Sequence, residues 1–235
     1  MQRNMKKLLT LMMVVMVSLT SFAQKDVIKF LGIPVDGTVS EMRQKLIDKG
    51  FESLPGFEYN QLKGRFNGED VLLSIAENNG KVWRIALGDA NPSSETNVRI
   101  RFNNLCHQFC NNKNYIALQK EDDYMIPDDA DIAYDMIVKK KRYDAIFMQA
   151  AKDTANINKA MWNAIYSKYT EEQVQNPTEA QQADILKIGS EARLVAMKET
   201  IQKRVVWFMI GEDSGKYIIQ MYYENGHNQA NGEDL

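Results

Sequence analysis

The stretch VIKFLGIPVDGTVSEMRQKLIDKGF, residues 27–51, reads as a strand running into a helix. Val27 to Ile33 is apolar and β-branched enough to extend, and Pro34 with Gly37 ends the strand. Thr38 then opens a Thr-x-x-Glu capping box with Glu41, the hydroxyl and the carboxylate each satisfying a backbone N–H that the first turn leaves free. Val39, Met42 and Leu46 share one face, and Gly50 supplies the left-handed stop of a helix of about three turns.

Downstream, LKGRFNGEDVLLSIAENNGKVWRIALGD (62–89) holds alternating runs separated by Asn67-Gly68 and Asn79-Gly80. Asn-Gly favours the type I′ turn, whose two central residues both need positive φ, so the segment predicts a three-stranded meander. Ser93-Ser94-Glu95 starts a second helix, with Val98, Phe102, Leu105 and Phe109 at helical spacing and an end near Asn111-Asn112. The acid-rich QKEDDYMIPDDAD (119–131) reads as a joint. Beyond it, IAYDMIVKKKRYDAIFMQA (132–150) predicts two strands around a basic turn, and RVVWFMIGEDSGKYIIQMYY (204–223) two more around Gly211 to Gly215. Between those pairs the spacing predicts one helix from Thr154 to Tyr169 and, after Asn176-Pro177, another opened by Thr178-x-x-Gln181 and reaching about Ile201.

The expected fold class is α+β: two strand-helix-meander units, 24–118 and 132–235, with antiparallel sheets packed on helices, joined at 119–131, the second carrying a helical insertion at 154–203. GKVWRIALGD (80–89) and KRVVWFMIGED (203–213) echo each other, as a strand type shared by two related units or by chance between buried strands. The tetrapeptide NGED occurs at 67–70 and again at 231–234. The first copy is turn chemistry; the second has only Leu235 after it and is either a frayed tail or a docked one.

Residues 1–23 have the order of a secretory signal peptide: Arg3, Lys6 and Lys7, an apolar run from Leu8 to Val17, and a small-residue exit ending at Ala23. The run is shorter than the roughly 20 residues of a membrane crossing, and no Cys stands at the processing site to take a lipid. Cleavage after Ala23 would remove three basic residues and no acid, moving the formal charge from −2 to −5. The expected destination is periplasmic or extracellular, with no transmembrane segment, and the balance disfavours nucleic acid, which is held by clustered Lys and Arg. The one basic run, 139–142, suits a solvated turn. Cys106 and Cys110 stand four apart. Helical neighbours at that spacing hold their Cβ atoms about 5–6 Å apart, wider than the roughly 3.5–4.5 Å of a disulfide, which favours two buried thiols.

No catalytic set converges along the chain. His107 follows Cys106 directly, so on a helix their side chains diverge, and His227 lies near the end. Gly-x-Ser-x-Gly, His-Glu-x-x-His and the phosphate-binding glycine loops are absent from the sequence, and no cofactor is expected. Asp128, Asp129 and Asp131 crowd one loop and offer hard oxygen ligands, a calcium site being the alternative to a solvated acidic joint. On the helix from Thr154, Trp162, Tyr166 and Tyr169 recur opposite a face of Ile157, Met161 and Ile165. They are either core or, with Tyr222 and Tyr223 on the last strand, candidates for a binding face, because Trp and Tyr supply large rigid contact area.

GIPVDGTVSEMRQKLIDKGF (32–51) and GKYIIQMYYENGHNQANGEDL (215–235) resemble the two ends of an uncharacterised family of exported proteins from Bacteroidetes-type bacteria. The resemblance implies export and an α+β fold, and brings no activity with it. At the level of topology the plan is similar to small domains that help assemble outer-membrane proteins and to inhibitor domains that block β-lactamases, which bind proteins without catalysis. The expected function is a non-enzymatic binding module for a protein or glycan partner. The alternatives are a hydrolase using dispersed carboxylates and a subunit whose strand KYIIQMYY (216–223) pairs with another chain.

Overall fold

Thr38 Oγ1 accepts from Glu41 N, and Glu41 Oε2 accepts from Thr38 N, so the capping box opens helix α1 (Val39–Ile47) as its residues dictate. Met42 and Leu46 are its buried positions. Ahead of the box, one strand was expected from Val27 to Ile33. The chain instead folds back as a small hairpin, β1 (Lys29–Phe30) on β2 (Ile33–Pro34), because Leu31 and Gly32 both adopt positive φ. The computed structural model describes residues 26–230, except 57 and 153, together with Gly232. The signal-peptide reading at 1–23 and most of the final NGEDL lie outside the described residues.

After β3 (Glu52–Ser53) come the three meander strands, β4 (Gln61–Phe66), β5 (Glu69–Asn78) and β6 (Lys81–Asp89), and both Asn-Gly pairs take positive φ at each position. Helix α2 (Glu95–Cys110) is capped by Ser94 and buries Val98, Phe102, Leu105, Cys106 and Phe109. The short strand β7 (Tyr115–Ala117) follows, then α3 (Glu121–Tyr124) within the acidic stretch. That stretch is tied to the body. The Asn103 amide bonds both backbone groups of Ile126, and the Tyr124 hydroxyl donates to Ile146 O while accepting from Leu118 N and Gln119 N.

The first of the two strands expected at 132–150 is instead a helix, α4 (Ile132–Ile137), followed by β8 (Asp144–Gln149). Asp131 caps it by accepting from Tyr134 N at 2.8 Å. Asp135, on its inner side, takes Lys139 at 2.7 Å and the Tyr143 hydroxyl at 2.5 Å, so the basic run folds back onto the helix and does not turn between strands. Helices α5 (Ala155–Tyr166), α6 (Glu171–Gln175) and α7 (Glu179–Gln202) form the inserted arm, the Thr178/Gln181 capping box intact. Two long strands finish the fold, β9 (Arg204–Asp213) and β10 (Lys216–Asn225).

Eight strands make one antiparallel sheet in the order β3-β4-β5-β6-β10-β9-β8-β7. The two meanders meet where β6 pairs with β10, and the buried cluster draws side chains from both halves of the chain. The mixed α+β class is as expected, and the sheet is not closed. β10 is hydrogen-bonded on both sides, so KYIIQMYY is central and has no free edge to lend another chain. That corrects the strand-pairing alternative. Helices α1 and α2 cover one side of the sheet. There the rows Leu73, Leu87, Met221, Phe208, Ala145 and Ile75, Ile85, Tyr223, Val206, Phe147 cross five strands, all buried. The segment after β10 is tied to the exit of the β1–β2 hairpin and to β6: Asn225 Nδ2 donates to Val35 O, and Asn228 Nδ2 to Asp36 Oδ1 and Val82 O.

Candidate functional site

The other side of the sheet is unlike an ordinary solvated face. Side chains alternate along a strand, so the partners of the buried rows must point away from α1 and α2. One such row reads Ser74, Ala86, Tyr222, Trp207, Ile146, and the next Leu72, Gly88, Gln220, Met209, Asp144. Leu72 is 42% exposed and Ile146 37%, with Tyr222, Trp207 and Met209 half-buried. A β-bulge shapes this face. Val82 faces Glu77 and Arg84 faces Ala76, so Trp83 is the extra residue.

Its planar groups form a ladder across three strands. Trp207 stacks on Tyr222 with centroids 4.1 Å apart, and the Arg84 guanidinium lies 5.2 Å from the Tyr222 ring and 4.1 Å from Trp83. Glu224 locks the ladder, accepting from Arg84 at 2.6 Å and from Trp207 Nε1 at 2.8 Å. Beside Tyr222 lies a shallow depression of about 260 Å³ floored by Ala86 and Gly88 and walled by Leu54, Leu72 and Gln220. Small side chains on β6 make that space.

The residues singled out from sequence do not gather in one place. Tyr222 belongs to the open face, whereas Tyr223 points the other way, 3% exposed against Phe30 at 5.0 Å and Phe66 at 6.5 Å. Burial raises its hydroxyl pKa well above the ordinary tyrosine value. Neither sits on a sheet edge. Trp162 and Tyr166 stack on each other at 5.7 Å on the inserted arm and are exposed, while Ile157 and Ile165 of the same helix are buried. Gly189 lets α7 approach them, since a Cβ there would stand 3.2 Å from Ile165. Tyr169 is apart from that pair. Its hydroxyl donates to Asp184, which also takes Lys168, each at 2.6 Å.

Asp131 is occupied in capping α4, and Asp128 is fully exposed 3.6 Å from Arg99. Among the described residues no group of three or more His, Cys, Asp or Glu is placed to share a metal ion. Cys106 and Cys110 are free thiols, the first buried and the second only half-buried. Burial pushes the Cys106 thiol up to about 12, away from thiolate chemistry. His107 does meet a carboxylate, Glu121 at 2.6 Å, but on the surface with its side chain 66% exposed and in no hollow.

A second concavity, about 480 Å³, opens on the helix-covered side, between the β1–β2 hairpin, the Asn67 turn and the end of α2. Arg204 forms part of its floor, and sequence reasoning missed it. The signal was available: in RVVWFMIG the residues at 204, 206, 208 and 210 share one face by period two, which puts an arginine on the buried side. Arg204 is 1% exposed and pairs with Asp26 at 3.0 Å. Comparison with protein-family models, curated proteins and solved structures found no match for the chain.

Proposed function

We propose that the protein is an exported, non-enzymatic binding module that contacts a protein partner through the open face of its sheet. The observation that carries this reading is the composition of the outward rows. A sheet face left to water normally carries polar side chains. Here the outward positions of β5, β6, β10, β9 and β8 are mostly Leu, Ala, Gly, Tyr, Trp, Met and Ile. The charges on this face are paired or peripheral: Arg84 and Glu224 neutralise each other, and Asp144 stands at the end of its row. Depletion of charge with enrichment of aromatic residues is the composition of an interface core.

Breadth favours a protein over a glycan. Five strands at about 4.8 Å spacing span roughly 20 Å, far wider than a sugar ring, and the depression beside Tyr222 has the size to seat an apolar side chain of a partner. Export rests on the order of residues 1–23. Against the hydrolase alternative stand the carboxylates themselves, since among the described residues none lines either concavity.

The test uses the mature chain and a Leu72→Arg/Ile146→Arg double variant, both changes falling at exposed positions. Expected is a protein from the source cell's envelope that co-elutes in stoichiometric amount with wild type, slows amide exchange in β5, β6, β9 and β10, and is lost with the double variant. Protection confined to the inserted arm would overturn the reading, as would a glycan whose binding the same variant abolishes.

A further inference from the structure

The cavity on the opposite side of the sheet is built differently. Its floor is a closed hydrogen-bond network. Gln149 bonds both backbone groups of Lys29, giving Nε2 to its carbonyl at 3.0 Å and taking its N–H at 2.8 Å, and reaches the Tyr115 hydroxyl at 3.3 Å. Arg204 donates to Gln149 O and Ala150 O and is neutralised by Asp26. These groups hold one another fixed and leave the floor preorganised.

The rim carries two lysines, and the Lys152 backbone N–H donates to Asp26 Oδ2 at 2.9 Å. Lys29 and Lys152 both line the cavity, and among the described residues no carboxylate lies within ion-pair distance of either ammonium group. Arg65 lines it too, already engaged with Gly68 O and Asp70. Among the described residues no Asp, Glu, His or Cys lines the cavity. One wall is apolar, formed by Phe66, Leu105 and Phe109, and Leu31 stands at the lip, 40% exposed. Leu31 holds φ +50°, a conformation costly for a bulky side chain, so a leucine there is poorly explained by the turn alone.

We propose that this cavity binds a small organic acid, its anionic group at Lys29 and Lys152 and its ring or short apolar body against Leu31, Phe66 and Phe109. The volume of about 480 Å³ lies within the range of small-molecule sites. The floor supplies fixed amide and hydroxyl groups for orientation, and the lysines supply charge that no carboxylate among the described residues pairs with. The site is separate from the proposed docking face: its Tyr223 and that face's Tyr222 point to opposite sides of the same strand.

Titration calorimetry with naphthalene-2-carboxylate, naphthalene-2-carboxamide, glucuronate and inorganic phosphate tests this on the full mature chain. The carboxylate should bind saturably and at least about tenfold tighter than the carboxamide, the ratio a single charge-assisted contact provides. The double variant Lys29→Gln/Lys152→Gln should lose that advantage while melting with the wild type, because neither ammonium group holds the fold. Leu31→Gly relieves the positive-φ strain and should raise the melting temperature while weakening the carboxylate. The proposal is overturned if no acid binds, if carboxylate and carboxamide bind alike, or if the lysine variant binds as wild type. Glucuronate binding tighter than the naphthalene acid would overturn the apolar-body part.

Discussion

Tyr222 and Tyr223 are neighbours in sequence with opposite surroundings, and so are Trp207 and Phe208. One of each pair is sealed beneath α1 and α2, and the other faces outward in a row that is largely apolar. The difference teaches that hydrophobicity alone does not mark the core in this chain. Alternation sorts residues to two faces, and helices arrive to cover only one. On the reading proposed above, that open apolar face is the docking surface.

The sharpest way to break this comparison is to truncate one residue on each face. Phe208 lies 5.3 Å from Phe102, 5.6 Å from Phe109 and 6.0 Å from Phe147. Phe208→Ala should cost about 3–5 kcal/mol in urea unfolding, the loss of transfer free energy plus a cavity. Leu72→Ala, on the open face, should cost under about 1 kcal/mol, because solvent already reaches that side chain. Equal losses would mean that both faces are covered and would remove the case for a docking surface.

A second prediction sharpens the comparison at the margin of the covered side, where the 131–143 segment is held by Asp135. Hydrogen bonds from Lys139 and Tyr143, the larger causes, with the nearby Lys141 charge, hold its carboxyl at about 2, below the ordinary 3.8. A depressed carboxyl stabilises the fold above its unfolded-state value and loses that contribution as pH falls through the folded one. Amide-exchange protection in α4, taken relative to the intrinsic rate at each pH, should therefore fall between about pH 4 and pH 2. Asp135→Asn should remove that dependence, and the buried rows should keep their protection across the same window.

Local chemistry was legible in the sequence, and assembly was not. The Thr38/Glu41 and Thr178/Gln181 boxes, the two Asn-Gly turns and the faces of α2 follow from rules that act within a few residues. The 132–137 segment was misread because its helix is specified by two carboxylates, a cap at Asp131 and an anchor at Asp135 whose partners Lys139 and Tyr143 lie outside it. The β6–β10 junction depends on residues more than a hundred positions apart, such as Ala86 and Tyr222, and no local pattern announces it. The cavity is less legible still. Lys29, Arg65, Lys152 and Arg204 share no spacing, and only the folded sheet brings them to one hollow.

The inserted arm supplies the smallest effect and the last discrimination. Trp162 and Tyr166 are 43% and 48% exposed, and their principal ring contact is with each other. A stacked pair contributes about 0.5–1.5 kcal/mol beyond its buried area when desolvated, and less where water reaches both rings. Trp162→Ser/Tyr166→Ser should therefore shift stability by no more than about 0.5 kcal/mol, as surface substitutions usually do. Ile165→Ser, at a buried position of the same helix, should cost several times as much, and thermal melts of the two variants compare them directly. A large loss from the aromatic pair would place it in the core and restrict apolar residues open to a partner to the sheet. A small loss leaves α5 and α7, with exposed Leu186 and Leu194, as a second face whose aromatic groups are dispensable to folding.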